Sequence, residues 1–425
     1  MEAKGRVVIL GTFDSKAEEL SFVKERIEKR GPQTLTINVG TRRLPSVSVD
    51  VDLFGKISRN GEPLHKDRDT AINAMIQEAR VFIRKLHQEG KVDGIISAGG
   101  GSGTHICSTI MRELPLGVPK IMVSTVASRN MADIVSTKDI VMMHSVVDLL
   151  GVNSISGRIL AGAAAAMCGM LQDRWQPVAE KKRIALSFFG FITPGAEAAR
   201  RALESRGYEV VAFHANGTGG MAMEELAAEG YFSGILDFAT HELADRLKSG
   251  YCGAIGPQRY EPVPGRNIPR LVVPGGLDCA VLEFTRQTVP MQFRDRKIFF
   301  YDFRSAIRLN HEETTVLARQ LSEKLNRAST RVRVLIPNKG WSEADREGGP
   351  LHEPETNALF VNQLKASLDP AIEIQEVDYH INDTAFAETA AEIMDGMARN
   401  VHATEIHRSG RPEPADEDGG HVWQR

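Results

Sequence analysis

The 425-residue sequence predicts an α/β protein of two lobes, each a doubly wound, mainly parallel sheet, facing one another across a central cleft. Three observations carry this. Short β-rich runs alternate with helical periodicity along the chain. The plan of the first half recurs in the second. The length exceeds what one hydrophobic core organises, so two or three domains are expected.

The elements follow in order. Arg6–Leu10 (RVVIL) is a buried strand, and Gly11–Asp14 a loop. Ser15–Lys29 is a helix with Leu20, Val23 and Ile27 on one face; Ser15 and Glu18 make the capping-box pattern, and Gly31 ends the unit. Leu35–Val39 is the next strand, and residues 41–66 read as an irregular excursion. A helix starts at Asp69 with Ile72, Met75, Ile76, Ala79, Phe82, Ile83 and Leu86 inward, closed by Gly90. Gly94–Ala98 is a strand, followed by the run Gly99–Thr104 and a helix presenting Ile106, Ile110 and Leu114. Lys120–Ser124 and Ile140–Met143 are further strands.

Arg183 then opens a second copy: RIALSFFGFITPGAEAARRALESRG answers RVVILGTFDSKAEELSFVKERIEKRG from Arg6. Gly94 corresponds to Gly234, Val118 to Ile268, and Asp139–Met143 to Lys297–Tyr301. The expected domains are 1–178 and 179–401, joined near 174–181. The second carries an appended strand (Val332–Ile336), a Gly/Pro loop, a helix over Ala358–Leu368, a strand near Ile372–Val377 and a helix over Asp383–Asn400. Residues 402–425 are polar and read as a disordered tail.

Composition narrows the function. Fifty-two Lys+Arg against 55 Asp+Glu leave a charge of −3, so the basic stripe that nucleic acid requires is not expected. The longest apolar stretch, Ile159–Leu171, is short of the ~18–20 residues of a bilayer helix, so no membrane partner is expected. The start MEAKGRVVIL runs straight into a strand without a signal-peptide pattern. Four single cysteines (Cys107, Cys168, Cys252, Cys279) make neither a disulfide framework nor a zinc ribbon. The expected location is cytoplasmic.

The sharpest chemical signal is Gly99-Gly100-Gly101-Ser102-Gly103-Thr104, between a buried strand and a helix. Glycines there let main-chain N–H groups converge at a helix N-terminus, and phosphate is the natural ligand. The run is neither a Walker A loop nor a dinucleotide fingerprint; the alternative is a tight packing turn. Gly11, Thr12, Asp14, Ser15 and Lys16 end the first strand and form a second anion-binding candidate, with Lys16 as counter-charge and Asp14 as a lone metal-ligand candidate. The alternative is that Asp14 and Ser15 are helix caps. Both junctions end strands of one sheet and so border one crevice.

In the second lobe the candidates at the strand ends are Thr193, His214, Gly217, Thr218, Gly219, Gly220, His241, Gly275, Gly276 and Asp278, with Lys339 and Asp345 in a later loop. Thr193 reads as an N-cap before Pro194. His214, His241 and Asp237 are acid–base candidates, although a lone His is more often structural. No residue pattern forces a mechanism.

The segments GTFDSKAEE, SAGGGSGTHI, STKDIVMMHSVVDLLGVNSISGRILAGAAAAMCGM, FGFITPGAE, FHANGTGGMAMEEL and GLDCAVLEF occur in this order. The set resembles the UPF0261 family of Tm-1-like ATP-binding domain proteins over roughly residues 5–400. The resemblance implies two Rossmann-like subdomains, ATP with magnesium, and dimer formation. It also implies that Gly11, Thr12, Asp14, Lys16, Gly99–Thr104 and Gly217–Gly220 are the matched binding positions. One plant member inhibits a viral replication protein; bacterial members mostly lack an assigned reaction. The sequence departs from the family pattern in its Gly-Gly-Gly-Ser-Gly-Thr order. It departs again at Phe238–Glu242, where the family has three threonines before Glu, and at Arg308-Leu309-Asn310-His311.

The expectation is therefore an ATP- or nucleotide-binding protein, a homodimer or higher oligomer, with an unidentified small-molecule second substrate entering from the Gly275–Asp278 side if it is an enzyme. The alternatives are a nucleotide-sugar-dependent glycosyltransferase or epimerase, and a non-catalytic module regulated by nucleotide.

Overall fold

A strand covered on both faces must be apolar at every position, and the first strand obeys: Arg6–Gly11 (β1) buries all but its first residue. Its odd residues Val7 and Ile9 pack with Leu20, Ile27, Leu160 and Met167. Val8 and Leu10 pack with Met75, Ile83, Ile106 and Ile110 on the other face. The computed structural model describes residues 5–58, 67–173, 175, 180–263, 265–327 and 332–409. The chain divides into two compact units, Met1–Val178 and Ala179–Arg425. The predicted join falls mostly outside the described residues, which omit 174 and 176–179.

In the first unit β1 is followed by Ala17–Glu28 (α1), Gln33–Asn38 (β2), Val51–Asp52 (β3), Leu53–Ile57 (α2), Arg68–Gln88 (α3), Gly94–Gly99 (β4), Gly101–Met111 (α4), Lys120–Ser124 (β5), Ala132–Val135 (α5), Ile140–His144 (β6) and Ser156–Gln172 (α6). The strands lie in the order β3-β2-β1-β4-β5-β6 and every pairing is parallel. Val8 sits beside Leu35 on one side and Ile95 on the other. Strand order reverses at β1, so the crevice beyond the carboxyl ends of β1 and β4 is the switch point of a Rossmann-like sheet.

The second unit contains Arg183–Phe188 (β7), Thr193–Ser205 (α7), Glu209–His214 (β8), Thr218–Glu229 (α8), Gly234–Asp237 (β9), Glu242–Lys248 (α9), Arg270–Val272 (β10), Cys279–Leu282 (β11), Ile298–Phe300 (β12), Ser305–Arg308 (β13), His311–Leu325 (α10), Val332–Pro337 (β14), Pro354–Ser367 (α11), Glu373–Val377 (β15) and Thr384–Ser409 (α12). Its main sheet is again six-stranded and parallel, ordered β15-β14-β10-β9-β7-β8. β11, β13 and β12 form a separate antiparallel sheet.

Five sequence expectations change. Lys297–Tyr301 is not the counterpart of Asp139–Met143: β12 belongs to the antiparallel insert, and the strand beside β10 is β14. A short apolar run looks alike in either sheet, so local pattern could not separate them. Residues 332–400 are consequently no appendage but the completing third of the second sheet. The Ser15–Glu18 capping box does not form. The helix begins at Ala17 after Lys16, the Ser15 hydroxyl turns to Thr12 and Asp14, and Glu18 accepts the Val152 N–H at 2.9 Å. The excursion over 41–66 holds β3 and α2, with 59–66 outside the described residues. The last helix runs on to Ser409, into the expected tail, of which 410–425 lie outside the described residues. No described helix is long and apolar enough to cross a membrane.

α12 seals the second unit by burying Phe386, Ala387, Ala390, Ala391 and Met394 with Leu236 and Phe238, the rings of Phe238 and Phe386 lying 5.7 Å apart. Phe386→Ala should therefore destabilise the whole second unit by about 3–5 kcal/mol in urea unfolding. An exposed appendage would lose almost nothing.

Candidate functional site

A cavity of about 250 Å³ opens at the switch point of the first unit, lined by Thr12, Asp14, Ser15 and Lys16 of the β1–α1 loop and Gly100, Gly101, Ser102 and Gly103 at the start of α4. Thr41, Arg42, Arg68, Ile72 and Ile106 complete the wall. Both glycine-bearing junctions thus meet, as the shared sheet edge requires. α4 starts at Gly101, and the Thr104 N–H closes its first turn on the Gly100 carbonyl at 2.8 Å. The N–H groups of Gly101, Ser102 and Gly103 precede any intrahelical acceptor and form the positive end of the helix dipole. A Cβ on Gly99 would stand 3.3 Å from the Gly103 Cα, so the small residues are needed to fold the helix start over the strand end.

The cations around this helix start are Arg42, Arg68 and Lys16. Arg68 opens α3 and donates to Ser102 Oγ at 2.9 Å, which holds its guanidinium at the cavity. Arg42 is exposed and fixed through its main chain, its N–H donating to Asp14 Oδ2 at 3.3 Å. Lys16 is more committed: its ammonium bonds the Leu149 carbonyl and pairs with Glu19 at 3.7 Å. The counter-charge that sequence placed on Lys16 thus rests more on the two arginines. Arg42 lies within the stretch 41–66 that reads as irregular and Arg68 two residues beyond it, and neither was singled out in the sequence.

Asp14 is buried and turned into the protein. Ser15 Oγ bonds one carboxylate oxygen at 3.1 Å, the Arg42 N–H the other, and Gly40 packs so closely that a Cβ there would fall 2.6 Å from the carboxyl carbon. Among the described residues no group of three His, Cys, Asp or Glu includes Asp14. The residues present do not make a protein-borne magnesium site here. Gly11, Gly99 and Thr104 do not line the cavity. Gly11 and Gly99 end strands, and Thr104 is buried with its hydroxyl 2.7 Å from Ser124 Oγ, tying α4 to β5.

The corresponding edge of the second unit is filled by the protein itself. Arg259, wholly buried, pairs with Glu224 at 3.0 Å, Asp237 at 2.7 Å and Glu242 at 2.8 Å. Arg270 reaches Glu224 at 2.6 Å and Asp237 at 2.8 Å. Gly217 caps α8 with φ +89°, donating its N–H to Glu242 at 2.7 Å, and a Cβ on Gly220 would strike the Glu242 carboxylate at 2.5 Å. Gly217, Thr218, Gly219 and Gly220 therefore lead into packing around an internal ion cluster. Asp237 is doubly paired with arginine inside this cluster.

The other second-unit candidates are scattered in role. Thr193 begins α7, where its hydroxyl donates to the Phe189 carbonyl at 3.4 Å; it is not the cap residue. His214 ends β8 edge-on to Phe188, and burial lowers its pKa, aided by Arg304. His241 is wholly buried against the Phe189 ring at 3.8 Å, and its pKa falls to about 3 through burial, then repulsion from His214 and Arg259. Gly275 and Gly276 are turn residues without room for a Cβ. Asp278 accepts the Ser342 hydroxyl at 2.8 Å, and burial, then Asp345, raises its pKa to about 7. Lys339 is exposed and pairs with Asp378 at 3.1 Å, so it is a surface ion pair.

Two Rossmann-like units, one with a cation-rimmed helix N-terminus at its switch point, define a two-unit Rossmann-like α/β protein. The chain belongs to the UPF0261 family. Residues 5–176 match the model described as "Uncharacterised protein family (UPF0261) N-terminal domain", and residues 181–398 match that of its C-terminal domain. A UPF0261 protein of Clostridium tetani is 38% identical over 401 residues, covering 92% of this chain and 98% of its own. One of Rhizobium meliloti is 36% identical over 393 residues, covering 91% and 97%. The ToMV resistance protein Tm-1(GCR237) of Solanum lycopersicum is 31% identical over 416 residues, covering 91% of this chain but 55% of its own. A solved UDP-N-acetylglucosamine 2-epimerase aligns over 97% of this chain and 99% of its own at 11% identity and a TM-score of 0.22, a likeness too slight to bear on ligand.

Two outcomes follow from the buried charges. Arg259→Ala leaves the buried Glu242 carboxylate without an ion-pair partner, with Glu224 and Asp237 held by Arg270 alone, and should cost about 3–5 kcal/mol in chemical unfolding. Asp278, its pKa raised from 3.8 to about 7, binds its proton more tightly folded than unfolded. Its contribution to stability is present at low pH and lost as pH rises through that window. Urea unfolding from pH 4 to 8 should therefore show a smaller fall for Asp278→Asn than for the natural chain.

Proposed function

We propose that this protein binds a nucleotide by its phosphates, with ATP as the ligand, in the cavity of the first unit. One observation carries the reading: the N–H groups at the start of α4 open into the same cavity that Arg42, Arg68 and Lys16 line, while the one carboxylate there is bonded inward. A helix N-terminus with converging glycine N–H groups and flexible cations selects a polyanion. The volume lies below the ~300–1,000 Å³ of pockets that swallow a whole ligand. It suits the phosphate end, with the base resting outside. The ATP-binding character that the family resemblance implies agrees with this chemistry. Since the Asp14 carboxylate is bonded inward, magnesium would be carried by the phosphates.

The function is the holding of nucleotide; the second unit's ion cluster occupies the place where a second phosphate would sit on that sheet. Isothermal titration with ATP, with and without magnesium, tests the reading, with UDP-N-acetylglucosamine as the competing ligand. ATP should bind, Arg68→Ala should weaken it about tenfold by removing a charge-assisted bond, and Gly103→Val should abolish it by filling the gap toward Thr12. No binding at millimolar ATP, or tighter binding of the UDP-sugar, overturns it.

A further inference from the structure

We infer that His241, Asp245 and Cys252 form a buried binding site for a divalent transition-metal ion, zinc by its donor set, in the second unit. One imidazole nitrogen, one carboxylate oxygen and the thiol sulfur all lie within 4.8 Å of one another, and all three residues are buried.

The placement is built by the fold. His241 precedes α9 and Asp245 lies one helical turn on, so both side chains stand on one face. Cys252 comes from the loop that follows. That loop is pressed onto α9 by two glycines: a Cβ on Gly250 would meet the Val281 carbonyl at 2.5 Å, and one on Gly253 the Arg246 nitrogen at 2.6 Å. The Asp245 carboxylate is oriented by two main-chain donors, the Val281 and Cys252 N–H groups, each at 2.8 Å. Each oxygen keeps a lone pair, as carboxylate ligands held by outer hydrogen bonds do.

The second observation is independent of the cluster. Both ring nitrogens of His241 are buried without a hydrogen-bond partner. A polar side chain left so pays a desolvation cost that a missing partner would recover, and the stacking on Phe189 fixes the plane in which that partner must sit. The donor set selects the ion. Thiolate and imidazole together exclude magnesium and calcium, and a four-coordinate zinc with three protein ligands keeps one position for water. Tetrahedral coordination brings ligand atoms to about 3.3–3.8 Å apart, a contraction that small side-chain rotations supply.

Charge balance agrees. A divalent cation with one thiolate, one carboxylate and one neutral imidazole sums to zero, the only cheap state in a buried site. Binding M²⁺ displaces the thiol proton and any proton on Asp245 to solvent, and forms one metal–sulfur, one metal–oxygen and one metal–nitrogen bond without oxidation or reduction. Glu242, next to His241, is withheld from the metal by its ion pair with Arg259.

Cobalt(II) added to the metal-stripped full chain reports directly on the thiolate. The expected spectrum has a sulfur-to-cobalt charge-transfer band and the strong visible bands of a four-coordinate ion, at one cobalt per chain. Zinc should bleach it. Cys252→Ser should remove the charge-transfer band, His241→Ala should weaken binding on the order of tenfold or more, and Cys107→Ser in the first unit should leave the band intact. Circular dichroism of the metal-free variants checks that they fold. If Cys252→Ser does not fold, native mass spectrometry of the natural chain with zinc decides. One retained zinc that Asp245→Asn releases supports the site. No charge-transfer band in the natural chain, a band that survives Cys252→Ser in a folded protein, or no retained zinc overturns it.

Discussion

The parallel sheet governs everything else in this molecule. Its central strands are buried on both faces, so each crossover must run over a helix and return to the same edge. All loops that follow strands therefore gather at one edge, and at the point where strand order reverses two of them diverge and leave a crevice. In the first unit that point is β1 against β4. Chemistry is delivered there by the alternation of Val7–Leu10 between the two cores, which fixes where the strand ends and hence where Thr12 and Gly100 stand.

The two units spend that edge differently. The first leaves a helix start open beside Arg68, which donates to a serine hydroxyl, and Arg42, whose main-chain N–H donates to the Asp14 carboxylate. The second closes its edge with Arg259 and Arg270 against Glu224, Asp237 and Glu242. Such a cluster is weak as a source of stability, because desolvation offsets most of the attraction, but it is unforgiving of a lost partner. One architecture thus yields an open edge and a filled one. The difference lies in whether the charge comes from the surface or from within.

Much of the fold was legible in sequence because it rests on local periodicity: β1, α3, β4 and β5 appear within a residue or two of their expected bounds. The two-lobe plan was legible because the glycine-bearing strand ends recur. What escaped depends on partners distant in sequence. Nothing near Lys297–Tyr301 says that it pairs antiparallel with β13, and nothing near Glu18 says that its carboxylate will reach Val152. In the candidate site the glycines announced themselves, since only a close backbone approach needs them. Arg42 and Arg68 did not, because an arginine in sequence looks the same whether it lines a cavity or faces bulk water. His241 and Asp245 share a helical turn, yet Cys252 joins them only through the pressed loop between Gly250 and Gly253.

The antiparallel insert has a consequence in time as well as space. In the first unit β4 finds β5 across a single helix, a short search. In the second, Val272 must find Val334 after the chain has laid down β11, β12, β13 and α10. Closing a longer loop costs more entropy before any contact repays it, so such pairings form late. During synthesis the first sheet has all its strands once β6 emerges, while β10 waits with one open edge for a strand still to be made. The second unit is thus the one whose assembly a ribosome-paced chain leaves exposed longest.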